Sequence, residues 1–502
     1  MSTNGTLEKL SRINLTKFIE ILHPGRTQRV AFIIVGSFSF SIAFGGLCLV
    51  ASSGWPIDDA LITYKYAENL AYGYGFVYNL GERIQGTSTP LFTGLMTIVT
   101  MLFGSRTVEV GSLIGVLAAI TCVLSVFGMV AKGSSRGAAI LAALALGLDA
   151  YFLFYASSGM ESHLFAALVI VALWSCISGK YTTAAIISAI CMLMRLDGAT
   201  VALAVLAAQA LKQRRLPLRE MAVITVIVLP WFVFAQLYFG TVFPASMLAK
   251  QSHAFEVDRL WMIRAFLSRP YALFMPFFIV AVALVLLSRD FRERTLPLVV
   301  WWFAYVGAYA AFGIPGYGWY RIPAVTVFFA IVGFGCGEMA RIAASIYARK
   351  EVHVGLLRPG TPGLIALLLF SSVPLAYEIR YSMALAPQAR ISAEALDGQR
   401  HDVAIWLEEN TPGSSVIASD GIGYLGYFTH RYIVDLAGLV TPSAVGKDRE
   451  AQIAVFRPDY VVVVAKEADW GGHEFSNDYE LVRRWPQIQD GLSHFVWRRI
   501  QQ

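Results

Sequence analysis

The sequence predicts a mostly α-helical, polytopic membrane protein of about eleven spans followed by a C-terminal α/β extracytoplasmic domain. Three observations predict it. Of 502 residues, 56% are hydrophobic and 15% charged, with a mean hydropathy of +0.58, whereas soluble domains carry about 25% charged residues. Apolar stretches recur over 30–377, many close to the roughly 20 residues a helix needs to cross about 30 Å of hydrocarbon. From 378 to 502 the chain turns polar, with Gly, Pro and short strand-like runs, as a separate soluble unit would.

The elements follow in order. Residues 1–29 are polar and basic, too long and too lacking in an A-x-A-like exit for a cleaved signal peptide, so 30–51 is read as an uncleaved first span. Lys9, Arg12, Lys17, Arg26 and Arg29 precede it, which puts the N-terminus in the cytoplasm and the first loop, 52–106, outside. Within that loop 90–104 is short for a span and is taken as an interfacial helix. Spans are then expected at 107–131, 138–156, 162–178, 181–195, 198–211, 219–239, 271–288, 296–313, 323–346 and 361–377. This threading leaves Lys132 and Arg136, Lys180, the run from Lys212 to Arg219, Arg289 to Arg294, and Arg349 with Lys350 on the cytoplasmic face, and the domain at 378–502 outside.

The net charge of +6 resides largely in those short connections, which fits orientation in a cell (inner or plasma) membrane and gives no support to nucleic-acid binding. Cys48, Cys122, Cys176, Cys191 and Cys336 all fall in or beside spans, so they read as small core residues and not as a disulfide framework. In the tail, 402–410 reads as a helix stopped by Pro412-Gly413, and 415–418, 431–435 and 460–464 read as strands.

Charge, glycine and aromatics other than the basic turns gather in the outer connections. Asp58 and Asp59 follow Trp55-Pro56 where the chain leaves the first span, and the pattern after them suits an amphipathic helix with an aspartate as its N-cap. Two adjacent caps are not needed, and a carboxylate at a membrane face is costly enough to point to function. The stretch from Gly73 to Gly86, with its strand-like Phe76-Val77-Tyr78, suits a hairpin needing positive φ at its glycines more than a phosphate loop. Glu161 stands at the outer start of a span, where it also complements the helix dipole. Lys250, Arg195 and Arg321 lie on the same side, and Asp197 is placed to neutralise Arg195. No zinc spacing, G-x-S-x-G or Walker pattern occurs.

The run IDDALITYKYAENLAYGYGFVYNLGERIQGTSTPLF resembles the first external loop of bacterial GT-C membrane glycosyltransferases, in particular the group that includes the mycobacterial terminal β-(1→2)-arabinofuranosyltransferase. The likeness continues through SSGMESHLFAAL, MRLDGA, YFGTVFPASMLAK, GYGWYRIP and ASDGIGYLGYFTHRYIVDLAGLV, with Arg195-Leu196-Asp197-Gly198 standing where R-P-E-G is usual.

The resemblance implies a GT-C fold and transfer of a sugar from a polyprenyl-phosphate carrier to a glycan, lipid or protein acceptor at the outer face. It implies Asp58 as general base, with Asp59 orienting it or the acceptor. Lys250 and Arg321, together with Arg195, would steady the leaving phosphate. Glu161 would bind sugar or acceptor hydroxyls, and Tyr64 with Lys65 would complete the substrate site. Some members of the superfamily pair their acids with a divalent metal, which the sequence leaves open. Two rival readings are a lipid-linked sugar flippase or transporter and a non-catalytic glycan-binding envelope protein. The apparent lack of an internal repeat and the few mid-span charges count against the first.

Overall fold

The computed structural model describes residues 56–251, 258–349, 361–466, 478–488 and 491–500. The N-terminal segment and the first expected span lie outside the described residues. The first loop opens with α1 (Asp58–Ala71) and continues into α2 (Pro90–Phe103), which begins on a proline whose missing N–H costs nothing at that position. Gly104, at φ 55°, ends α2, and α3 (Thr107–Gly133) folds back on it, so that the hydroxyls of Thr100 and Thr107 meet at 3.3 Å. Residues 90–103 therefore form a helix distinct from the following span.

The expected span at 138–156 is two helices, α4 (Arg136–Leu148) and α5 (Ala150–Ala156), bent by 60°. Asp149 causes the break. Its carboxylate caps α5 by accepting the Phe152 N–H at 2.8 Å, a local bond that competes with continuing the helix. Then come α6 (Ser162–Ile177), α7 (Tyr181–Met194), α8 (Ala199–Gln213), α9 (Leu218–Phe239), α10 (Ala245–Gln251) and α11 (Trp261–Leu267). The bundle closes with α12 (Met275–Leu287), α13 (Arg289–Phe312), α14 (Arg321–Arg349) and α15 (Thr361–Asn410).

Among the described residues four helical segments are long and apolar enough to cross a membrane, or five if the bent pair counts as one, while α6, α7 and α12 are apolar but shorter. At least four apolar spans stand on length and composition among the described residues. The segment containing α14 is the axis of the bundle, with 94% of its apolar window buried, whereas only 17% of that of α9 is buried.

The 50-residue α15 runs through 377–378 without a break and carries the chain into the tail. There β1 (Val416–Ser419), β2 (Tyr432–Asp435), β3 (Tyr460–Lys466), β4 (Tyr479–Arg484) and β5 (Leu492–Arg499) form one sheet of order β2-β1-β3-β5-β4. Strand β1 pairs in parallel with β2 and β3, and β5 pairs antiparallel with β3 and β4. The first three strands match the sequence reading. The polar edge strand β4 and its partner β5 do not announce themselves by hydropathy. Short helices α16 (Gly423–Thr429) and α17 (Arg449–Phe456) complete the tail. One apolar core runs from the bundle through α1 into the tail, from Phe165 and Val325 by way of Tyr64 to Tyr424 and Val462.

Candidate active site

Asp58 and Asp59 occupy the first turn of α1, but Ile57 is its N-cap and makes no side-chain capping bond, so neither aspartate caps its own helix as the sequence predicts. Asp58 caps another helix instead. Its Oδ2 accepts the Gly423 N–H and its Oδ1 the Tyr424 N–H, both at 3.0 Å, at the start of α16, and the residue is only 7% exposed. Glycine is required at 423 because a Cβ there would lie 1.8 Å from the Asp58 carbonyl oxygen. The Tyr424 hydroxyl donates to the Pro56 carbonyl at 2.7 Å, and the Ile57 N–H donates to the Ser158 carbonyl at 3.1 Å. Asp59 is half-buried.

The stretch 73–86 is a strap across this junction, not a strand. Gly73, Gly75 and Gly81 all have positive φ, as a turn there needs. Between them Tyr78 donates to the Ile422 carbonyl at 2.6 Å, and the Asn79 side chain makes a reciprocal pair with the backbone of Ile433 at 2.9 and 3.0 Å. From α15, Asp397 and Arg400 close the corner, paired at 2.8 Å. Burial pushes the Asp397 carboxyl up to about 6; Arg400 pulls it down, and Asp58 and Asp59 oppose that pull.

Next to the Ser158 turn, Glu161 pairs with Arg195, whose Nε and Nη2 also bond Asp197 at 3.0 Å. The guanidinium stacks 4.9 Å from the Tyr320 ring centroid, and the Tyr309 hydroxyl donates to Asp197 at 2.7 Å. Every nitrogen of Arg195 thus has an acid partner, and Asp197 does neutralise it. Glu161 makes no capping bond to α6.

Arg321, at the start of α14, contrasts with Arg195. Among the described residues it has no ion pair; its Nε has no hydrogen-bond partner, and the guanidinium lies 4.1 Å from the Tyr151 ring and 5.8 Å from that of Trp261. The break at Asp149 lies close by, its Oδ2 accepting from the Tyr271 hydroxyl at 2.7 Å. Glu378 on α15 is fully buried, feels the charge of Asp149, and has no hydrogen-bond partner for either carboxylate oxygen among the described residues.

The other predicted site residues are placed as follows. Tyr64 is buried and its hydroxyl donates to the Gly159 carbonyl at 2.8 Å, holding the 158–161 turn. Lys65 pairs with Glu68 at 2.9 Å. Lys250 falls in α10, and its side chain lies outside the described residues. Contacts running through Ile57–Ser158, Glu161–Arg195 and Arg195–Tyr320 link Asp58, Glu161, Arg195 and Arg321 at one end of the bundle. Sequence reasoning missed Asp149, Glu378, Asp397 and Arg400. The first two had a signal, as lone acids inside or at the edge of an apolar run. Among the described residues no group of three or more His, Cys, Asp or Glu is arranged to hold a metal ion.

Compared with known proteins, residues 388–499 match a family described as a domain of unknown function (DUF8728). The terminal β-(1→2)-arabinofuranosyltransferase of Mycobacterium tuberculosis is 27% identical over 267 residues, covering 48% of this chain and 42% of the relative. The chain thus spans less than half the length of that curated relative. Among solved structures, ArnT from Cupriavidus metallidurans bound to undecaprenyl phosphate superposes with a TM-score of 0.59 at 12% identity, covering 92% of this chain and 97% of ArnT. The oligosaccharyltransferase of Archaeoglobus fulgidus, tethered to an acceptor peptide, superposes with a TM-score of 0.56 at 13% identity, covering 85% and 69%. The chain has the fold of the GT-C membrane glycosyltransferases, as the first-loop motif implies.

Proposed function

We propose that the chain is a GT-C membrane glycosyltransferase that moves a sugar from a polyprenyl-phosphate carrier to a glycan, lipid or protein acceptor at the outer face of the cell membrane. In this reading its N-terminus is cytoplasmic and its tail extracytoplasmic. The observation that carries the proposal is the Asp58–Asp59 corner. It is held between the first loop, the 158–161 turn and the tail, at the end of the bundle where Arg321 makes no ion pair among the described residues. The relatives support the class of reaction: one is named an arabinofuranosyltransferase, one solved structure is bound to undecaprenyl phosphate and another to an acceptor peptide.

Breaking a sugar–phosphate bond develops positive charge on the sugar and negative charge on the leaving phosphate, while the acceptor hydroxyl must lose a proton. The base in this reading is Asp59. Asp58 is buried with each of its oxygens already accepting a backbone N–H, so it positions the pair by tying α1 to α16. Arg321 takes the phosphate, since it makes no ion pair among the described residues and its Nε has no hydrogen-bond partner, so that donor can meet an incoming anion. Lys250 is assigned to the same phosphate from its place in the family motif. Glu161 and Arg195 hold the turn that abuts α1, and Tyr64 and Lys65 brace α1 beneath the sugar.

The test is transfer of radiolabelled sugar from polyprenyl-phosphate donors to a membrane glycan extract by the wild type, Asp58→Asn and Asp59→Asn. Asp59→Asn should fold and lose transfer by about a hundred- to ten-thousandfold, the range of a general base. Full activity in that variant refutes the assignment. One observation favours a second reading as a transporter: a broken helix with two buried acids, Asp149 and Glu378, suits an ion-coupled carrier. Movement of labelled lipid-linked sugar across liposomes without any new glycosidic bond would establish that reading instead.

A further inference from the structure

At the opposite end of the bundle a cleft of about 890 Å³ opens between the ends of α6, α8 and α12 and the starts of α7 and α13. Helix α6 starts beside Glu161 and ends in the cleft at Ile177, and its 16 residues at 1.5 Å each separate the two by about 24 Å. The cleft is therefore remote from the acidic corner. Its rim carries Lys212, Arg214, Arg289 and Arg292 against one carboxylate, Glu293. Lys212 at 3.6 Å and Arg289 at 3.4 Å share that single acid, and Arg214 has no ion pair among the described residues. Arg292 is held in the wall by donating to the Val285 and Leu286 carbonyls, which orients it without neutralising it. The floor is apolar, made by side chains such as Ile177, Ala208 and Leu296.

Cations exceed acids on the rim, four to one, above an apolar floor. An occupant must therefore present an anionic group to the rim and hydrocarbon to the floor. A volume of 890 Å³ is at the upper end of clefts that enclose a ligand of drug size. We infer that this cleft is a binding site for an anionic phospholipid, its phosphate against Lys212, Arg214 and Arg289 and its acyl chains along the apolar floor. The site lies in the leaflet opposite the acidic corner and does not depend on the transferase reading.

The probe is phosphatidylglycerol. The full chain is reconstituted into phosphatidylcholine nanodiscs containing a minority of phosphatidylglycerol, and retained anionic lipid is counted by native mass spectrometry after release. The triple variant Lys212→Gln/Arg214→Gln/Arg289→Gln changes only exposed side chains. At about fivefold per charge near a membrane surface it should weaken retention roughly a hundredfold. A control with equal charge loss at the same end but outside the cleft, Lys132→Gln/Lys180→Gln/Arg219→Gln, should retain the lipid. Ala208→Trp, which fills the floor and leaves every charge, should also abolish retention. Equal loss in the triple variant and its control means general attraction to basic loops and overturns the site. So does retention of polyprenyl phosphate in preference to phosphatidylglycerol when both are supplied.

Discussion

The two ends of the helix bundle use the same charged residue types under opposite conditions. At the acidic-corner end, Arg195 is buried against Glu161, Asp197 and the Tyr309 hydroxyl, and Asp58 is enclosed by two backbone N–H groups. At the other end, Lys212, Arg289 and Glu293 meet at 3.4–3.6 Å with their side chains 43–87% exposed. The lesson is that an ion pair's distance says little until its solvation is known. A buried group stripped of its partner has no water to turn to, whereas an exposed one does.

Replacing Arg195 by Met should break this comparison most visibly. It leaves Glu161 as a buried acid without its cation and Asp197 with tyrosine hydroxyls alone, and thermal unfolding in detergent should show a loss of about 3–5 kcal/mol. A variant that melts with the wild type would mean the network is wet. Arg321→Lys keeps the charge but loses the planar fork, so kcat/KM for the lipid-linked donor should fall about ten- to a hundredfold with little change in melting temperature. An unchanged value would remove Arg321 from the phosphate site.

Smaller effects come from the tail, where burial pushes both Asp397 and Asp435 from 3.8 up to about 6. A carboxyl raised in the folded state binds protons there more readily than when unfolded, so stability must fall as pH rises from about 4 through 6. Between pH 7 and pH 5 each group should return about 1 kcal/mol on acidification. Asp397→Asn should flatten its share of the profile, and a profile identical to wild type would assign the dependence elsewhere. The smallest effect is expected for Lys212→Gln, within about 0.5 kcal/mol of wild-type stability because its pair with Glu293 is exposed. A larger loss would contradict the contrast between the ends.

Much of the frame was legible in the sequence because it rests on local chemistry. Apolar runs mark the helices, and Arg195 with Asp197 two residues on reads as a pair, which it is. The glycines at 73, 75 and 81 announced positive φ, and the strap they shape holds the tail. The break at Asp149 was visible only as a lone acid in an apolar run, since hydropathy averages over it. The helix cap at Asp58 was foreseen with the wrong helix, because its partners lie 365 and 366 residues away.

By itself the sequence determined that this is a helical membrane protein with a mixed α/β tail and a GT-C-like first-loop motif that carries an acid pair. Each follows from composition, periodicity or a short motif, which neighbouring residues specify. Only the tertiary structure decided which carboxylate is enclosed and which is half-exposed, which arginine is held by two acids and which makes no ion pair among the described residues. Those states depend on desolvation and on partners from distant segments, such as α16 over Asp58 and α6 beside Arg195. A side chain's chemistry is written in its residue type, but its charge state and availability are set by what the fold packs around it.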